Sequence, residues 1–519
     1  MPADSHPALA PSSSPEINKL AAAQGEHRLL INGELTESST GESFDNVSPA
    51  TGEVLGTTSA ATASDMQRAI AGARRAFDES SWSTDRDLRT RCLQQLQQAL
   101  DAEVEDLRNE LIAEAGAPHM MTRTAQLDWP LDDGLRFPMQ MIKDFEWERT
   151  LPTSELRGVR SSRAVRKEPV GVVAAITPWN FPFEIVINKL GPALAAGNSV
   201  ILKPASLTPW NATRLGRIVA EKTDIPPGVL QVLPTPDASV TEILSVDDRV
   251  DMVSFTGSTG VGRRIVEKSA GNLKRTFLEL GGKSAMIVLD DAEFATALPH
   301  AAQACTHAGQ GCALSTRLLV PRARYSEAVD FVTHVFQSLS IGDPADPRVY
   351  VGPVISARQR DSILGYIAQG VSEGGQVTTG GTSAPELPDH LSGGFFVSPT
   401  VIAGLDNSST PAREEIFGPV MTVIAYDSEE DAIAIANDSP YGLAGSIFSA
   451  STERALAVAH RIRTGSISIN GGLYYGADSP YGGYKTSGVG RQNGIEGFEQ
   501  YLETKSIAWI AHQEGQLHD

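Results

Sequence analysis

The chain is poor in cysteine. Three occur in 519 residues, Cys92, Cys305 and Cys312, too few for a disulfide framework in a chain this long and suited to a reducing compartment. No apolar run reaches the roughly 18 residues of a membrane-spanning helix. Basic residues are also short: 43 Lys and Arg stand against 63 Asp and Glu, a net charge of -20. That balance excludes the basic stripe of a nucleic-acid binder and disfavours an anionic membrane surface. Residues 1–26, rich in Pro, Ser and Ala, lack a basic stretch followed by an apolar one. They are expected to form a disordered extension, not a signal peptide. No fixed-period repeat or coiled-coil heptad is visible. The default location is the cytoplasm.

What is present reads as an ordinary globular enzyme or binding protein, 41% hydrophobic and 20% charged. Its length requires two or more cores. Apolar residues at helical spacing predict helices over residues 65–77 and 88–114. Residues 150–169 are extended and charged, as in an outlying ribbon. From residue 170 the texture changes to continuous apolar runs at 170–176, 199–203, 229–233 and 250–255, each of strand length and suited to burial on both faces. Helical segments at 211–221 and 238–245 lie between them, which is the pattern of βαβ units. A second series follows, with a strand at 284–289, a helix at 292–308 and a strand at 317–320. The fold class is α/β with a parallel sheet.

Chemistry concentrates between residues 278 and 312. Leu278-Glu279-Leu280-Gly281-Gly282-Lys283 opens this stretch and Gly309-Gln310-Gly311-Cys312 closes it. A thiolate is the nucleophile that a thiol is not, so a reactive Cys312 needs a base or an electropositive surrounding. Taken alone, such a cysteine is more often a small buried residue. Phe255-Thr256-Gly257-Ser258-Thr259-Gly260-Val261-Gly262 sits between a strand and a helix, where backbone N–H groups can bind a phosphate. Thr177-Pro178-Trp179-Asn180-Phe181-Pro182 follows the first buried strand, at the end where α/β folds place ligands. There Asn180 offers an uncharged donor of the kind that stabilises an oxyanion, or else caps the next helix. Lys203, ending the next strand, is a candidate donor to a ribose or phosphate.

As a set these residues resemble the aldehyde dehydrogenase superfamily. The matching elements are Pro178-Trp179-Asn180-Phe181-Pro182, Lys203-Pro204-Ala205-Ser206, Phe255-Thr256-Gly257-Ser258-Thr259, Leu278-Glu279-Leu280-Gly281-Gly282-Lys283, Gly309-Gln310-Gly311-Cys312, Glu415-Ile416-Phe417-Gly418-Pro419 and Ser479-Pro480-Tyr481-Gly482-Gly483-Tyr484-Lys485, in the family's order. The resemblance implies a Rossmann-like cofactor domain (27–148 and 168–278), an α/β catalytic domain (279–496) and an oligomerisation ribbon (149–167 and 497–511). It implies NAD(P)-dependent oxidation of an aldehyde to a carboxylic acid in a homodimer or homotetramer without a metal; from Ser206 and Lys203, NAD is expected to be used and NADP tolerated. By the same resemblance Cys312 is the nucleophile, Glu279 the general base and Asn180 an oxyanion donor. Ile176, Thr177, Pro178, Trp179, Lys203, Ser206, Gly257, Ser258, Gly262, Leu280, Gly281, Glu415 and Phe417 would hold the cofactor. Phe181, Asn188, Tyr475 and Tyr481 would line the substrate pocket.

The chain departs from the family pattern in three places. Ser206 stands where NAD-selective relatives often carry a glutamate that binds the ribose. Gln492 replaces a glutamate, and Asn188 replaces a tryptophan, which implies a wider or more polar substrate tunnel. An acylating enzyme that hands its thioester to coenzyme A is disfavoured by Glu279, a base aimed at water. A non-catalytic binding protein is disfavoured because nucleophile and oxyanion donor are both present.

Overall fold

The structure, a computed structural model, describes residues 13–511. Its first sheet has eight strands, in the order Gly488–Val489, Arg275–Glu279, Met252–Thr256, Val172–Ile176, Ser199–Lys203, Leu230–Val232, Leu29–Ile31, Glu34–Thr36. The strands from Arg275–Glu279 to Leu230–Val232 run parallel. Val172–Ile176 is buried at every position, which explains its unbroken apolar sequence. The chain fills the sheet outward from this strand, first to one side and then to the other. The order therefore reverses between Val172–Ile176 and Met252–Thr256. At such a switch point the following loops diverge and leave a crevice at the strands' C-terminal ends. The loops that diverge here are those of Pro178 and Gly257.

A second sheet has seven strands, in the order Gln376–Thr379, Thr400–Ala403, Val420–Tyr426, Ser315–Pro321, Ser284–Val288, Gly445–Phe448, Ser468–Ile469. All pairs but the first are parallel. The chain leaves the C-terminal end of Arg275–Glu279 in the first sheet and enters the N-terminal end of Ser284–Val288 in the second. One short turn thus sets the exit edge of one sheet against the entry edge of the other, and Cys312 precedes the strand Ser315–Pro321 at that same edge. A third, antiparallel sheet joins Glu148–Leu156, Val159–Pro169 and Leu502–Ile510, with Val159–Pro169 in the centre.

Three expectations are corrected. Residues 14–24 are not a disordered tail but the helix Ser14–Gln24. Ser13 N–H donates to Glu16 Oε2 at 3.1 Å, Ser14 N–H donates to Asp343 Oδ2 at 2.9 Å, and Ile17 and Ala21 pack with Ile112, Ala113 and Trp210. One apolar turn at i, i+4 spacing and an end-cap suffice to dock it; the rest of that extension, residues 1–12, lies outside the described residues. The helix expected over 88–114 is two, Arg86–Ala102 and Val104–Ala115, parted at Glu103, whose carboxylate accepts from Arg214 Nη1 at 2.6 Å. The helix expected over 292–308 is one α-turn, Phe294–Ala297, continuing as a 3₁₀ segment Leu298–Gly309. Pro299 removes a backbone donor, and the segment ends in left-handed backbone at His307 (φ 48°) and Ala308 (φ 53°).

Candidate active site

Two cavities meet in the cleft between the large sheets. One, of about 320 Å³, is lined by Phe181, Glu184, Tyr474, Tyr475, Tyr481 and Gln492 among others. The other, of about 500 Å³, is lined by Pro178, Trp179, Gly257, Ser258, Gly281 and Phe417 among others. Asn180, Thr256, Glu279 and Cys312 belong to both walls. A reacting atom at that junction is reached from one side by one ligand and from the other side by a second.

The loop carrying Cys312 is held rigidly. Gln310 is fully buried; its Oε1 accepts from Ile355 N–H at 2.8 Å and its Nε2 donates to His307 O at 3.1 Å. Gly309 is left-handed (φ +74°), and a Cβ there would lie 2.1 Å from the Gly418 carbonyl, so no other residue fits. His307 and Ala308 adopt left-handed backbone without being glycine, a conformation that costs on the order of 1 kcal/mol or more each and is imposed by the surrounding packing. Asn180 Nδ2 donates to Gln310 O at 2.9 Å, and Asn180 O accepts from Gln126 Nε2 at 2.8 Å. The amide is thereby fixed beside Cys312 with a second N–H to spare. It does not cap the helix Pro182–Ala196, whose N-terminal neighbour is Phe181.

Cys312 Sγ lies 3.3 Å from the Tyr481 hydroxyl. Burial pushes the thiol up to about 12, the Tyr481 hydrogen bond opposes this, and the charge of Glu279 adds to it. The sulfur is thus held protonated and needs a base. Glu279 is 3% exposed, and neither of its carboxyl oxygens has a partner among the described residues. Burial raises it to about 8, against the lowering charges of Lys189 and Arg491. A buried carboxyl with no partner is costly unless water or a proton satisfies it, and a group titrating near 8 exchanges protons readily around neutrality. Behind it, Lys189 Nζ lies 3.1 Å from Ser254 Oγ and 4.7 Å from the centre of the Phe277 ring, and burial lowers it to about 7.

The larger cavity has the donor set of a dinucleotide site. Ser258 Oγ accepts from Val261 N–H at 3.4 Å at the start of the helix Thr259–Ser269, leaving other first-turn N–H groups directed at the crevice. Glu415 Oε1 accepts from Gly282 N–H at 2.9 Å. A Cβ on Gly281 would lie 1.9 Å from Glu415 Oε2, so glycine there lets the carboxylate reach the turn. Trp179 and Phe417 meet edge to face at 5.4 Å across the cleft's inner end. Gly262 packs against Leu280, where a Cβ would stand 2.7 Å from a methyl group. These features fit a pyrophosphate at the helix end, a ribose near Glu415 and a flat ring near Phe417.

A family model described as the aldehyde dehydrogenase family matches residues 35–507. The chain belongs to that family. It is 37% identical over 480 residues to the 3-succinoylsemialdehyde-pyridine dehydrogenase of a Pseudomonas species, covering 92% of this chain and 97% of that one. Among solved structures it is similar to a Mycobacterium tuberculosis aldehyde dehydrogenase complexed with NAD+, with TM-score 0.88, 40% identity and coverage of 93% and 98% of the two chains. It is also similar to a mutant of aldehyde dehydrogenase C from Pseudomonas syringae in complex with NAD+ and octanal, with TM-score 0.87, 34% identity and coverage of 93% and 97%.

Within this aldehyde dehydrogenase the expected residues fall into three groups. Cys312, Glu279 and Asn180 come together at the junction; Pro178, Trp179, Gly257, Ser258, Leu280, Gly281, Glu415 and Phe417 wall the larger cavity, and Phe181, Tyr475 and Tyr481 the smaller. Ile176, Thr177, Lys203 and Ser206, on adjoining strand ends and turns, and Gly262, in the first turn of the helix Thr259–Ser269, are not part of the larger cavity's wall. Asn188 is the exception. It is buried in the helix Pro182–Ala196 one turn behind Glu184, to whose Oε1 it donates at 3.2 Å, and it does not line the substrate cavity. Sequence reasoning missed Glu184, Thr256, Trp129 and Tyr474. Only Glu184 carried a signal, as the one acidic residue of a mostly apolar helix whose other polar residues are Asn188 and Lys189.

Proposed function

We propose that the protein oxidises aldehydes to carboxylic acids with NAD+, through acyl transfer to Cys312, without coenzyme A. The observation that carries this reading is the junction itself, where a thiol, an unpartnered carboxyl and an amide donor stand between a dinucleotide-type cleft and an aromatic cavity. Glu279, directly or through water, takes the Cys312 proton. The sulfur attacks the aldehyde carbon, a C–S bond forms, and the carbonyl π electrons move to oxygen. Asn180 Nδ2 and the Cys312 backbone N–H stabilise that oxyanion. When bound, the nicotinamide supplies the hydride acceptor. As the oxyanion collapses and the carbon gives up its hydride, a thioester is left on Cys312; Glu279, having lost its first proton to solvent, takes one from the water that cleaves it, and the C–S bond breaks to free the acid and the thiolate. The Tyr481 hydroxyl, beside Sγ, fixes the nucleophile's rotamer.

NAD is preferred and NADP tolerated. Ser206 neither chelates a ribose nor repels a 2′-phosphate, and Lys203 is a nearby cation. The scarcity of cysteine supports a reducing, cytoplasmic location. The ribbon supports assembly into a dimer or tetramer: Leu502–Ile510 and Glu148–Leu156 are its outer strands, Trp509 and Ile510 are exposed, and open edges of this kind favour pairing across subunits. The test is reduced-nicotinamide absorbance over a panel of aldehydes with each cofactor, with and without coenzyme A. Aldehyde-dependent NAD+ reduction that yields free acid without coenzyme A is expected. An absolute requirement for coenzyme A would overturn the reading.

A further inference from the structure

The substrate cavity holds a carboxylate that the reaction does not use. Glu184 lies in the first turn of the helix Pro182–Ala196, flanked by buried Phe183 and Ile185, and is on the cavity wall. Its Oε1 is committed: it accepts from the Tyr475 hydroxyl at 2.8 Å and from Asn188 Nδ2 at 3.2 Å. Those two bonds fix the carboxylate's orientation. Its Oε2 has no hydrogen-bond partner among the described residues. Trp129, whose ring lies 6.3 Å from that of Tyr475, shares the same wall. None of the residues lining the cavity is Lys or Arg, so the free Glu184 oxygen meets neither of those cations.

We propose that Glu184 is a specificity-determining residue whose free carboxylate oxygen selects aldehydes bearing a hydrogen-bond donor, a hydroxyl or a protonated amine, at the end remote from the carbonyl. This rests on the aldehyde-oxidising reading above. A carboxylate left without a partner once an apolar substrate has displaced water is penalised, whereas a donor satisfies it. A site built to bond a donor therefore rejects the isostere that lacks one far better than an apolar wall rejects a polar substrate.

The experiment compares three aldehydes of one chain length, long enough not to cyclise, ending in methyl, hydroxyl or ammonium, with the wild type, Glu184→Gln and Glu184→Leu. The readout is the ratio of kcat/KM between donor-ended and methyl-ended substrates, which cancels any general damage to the variant. The wild type is expected to favour both donor-ended aldehydes by about tenfold or more, mostly through KM. Glu184→Leu loses both preferences. Glu184→Gln keeps the hydroxyl preference and loses the ammonium one, which separates a neutral donor from a cation. A wild type that oxidises the methyl-ended aldehyde as well as the others, or a preference that survives in Glu184→Leu, would overturn the proposal while leaving the activity standing. No oxidation of any aldehyde by the wild type would remove both.

Discussion

The two cavities that meet at Cys312 are built from different materials. The cofactor side is made largely of short contiguous stretches, 178–180, 256–258 and 279–281 at the ends of strands and 415–417 between the helix Thr410–Arg413 and the strand Val420–Tyr426. Its wall is formed in part by glycines that bring backbone close. The substrate side combines two contiguous runs, 311–315 and 471–475, with single side chains drawn from positions as far apart as Met121, Glu184, His300 and Gln492. A contiguous wall can be copied only with its sequence, so it leaves a readable motif. A wall of dispersed side chains changes one residue at a time and leaves none.

Substitutions at the junction should stop the reaction that joins the two sides. Cys312→Ala is expected to lower aldehyde oxidation by at least about 10³-fold while NAD+ still binds, as followed by calorimetry. Cys305→Ala is the control, for Cys305 is fully buried and burial alone raises its thiol; its activity should stay close to that of the parent. Comparable losses in both variants would show that the nucleophile has been misassigned.

Glu279→Gln should slow deacylation by about 10²–10⁴-fold and hydride transfer much less, so that stopped-flow traces show a burst of reduced cofactor followed by little turnover. The pH sign follows from the raised carboxyl. At pH 7 a group titrating near 8 is mostly protonated; only its deprotonated form can accept a proton from water, so wild-type turnover limited by deacylation rises through about pH 8 and then levels off. A rate that falls over that interval would contradict the assignment.

Asn180→Ala, on the wall shared by both cavities, removes one oxyanion donor and should cost about 10²–10³ in kcat with a smaller change in KM. The smallest expected effect belongs to the cofactor side alone. Ser206→Glu should raise the NAD over NADP ratio of kcat/KM by about tenfold, through repulsion of the 2′-phosphate screened by solvent, without altering the aldehyde preference. An unchanged ratio would show that residue 206 does not face the ribose.

The contrast between the two walls also explains what was legible. The buried strand Val172–Ile176 announces itself because both its faces are covered, and the short link from Glu279 to Ser284 is marked by its glycines. The helix Ser14–Gln24 was hidden because a polar, proline-containing segment needs only two apolar side chains to dock. The 3₁₀ path Leu298–Gly309 was hidden because apolar spacing does not distinguish it from an α-helix, and its left-handed end is imposed by packing against Gly418. Asn188 could be placed on the right helix from sequence, but which of Glu184 and Asn188 faces the cavity depends on how that helix is rotated against the Tyr475 segment. No local pattern encodes that rotation.

The central claim is that the substrate passes through a covalent acyl state on Cys312 which Glu279 helps water to cleave. The most direct measurement is tandem mass spectrometry of acid-quenched Glu279→Gln protein after a single turnover with aldehyde and NAD+. The account predicts an acyl adduct on Cys312 in near-stoichiometric amount and an unmodified Cys305. An unmodified Cys312 after cofactor reduction, or an adduct on Cys305, would contradict it.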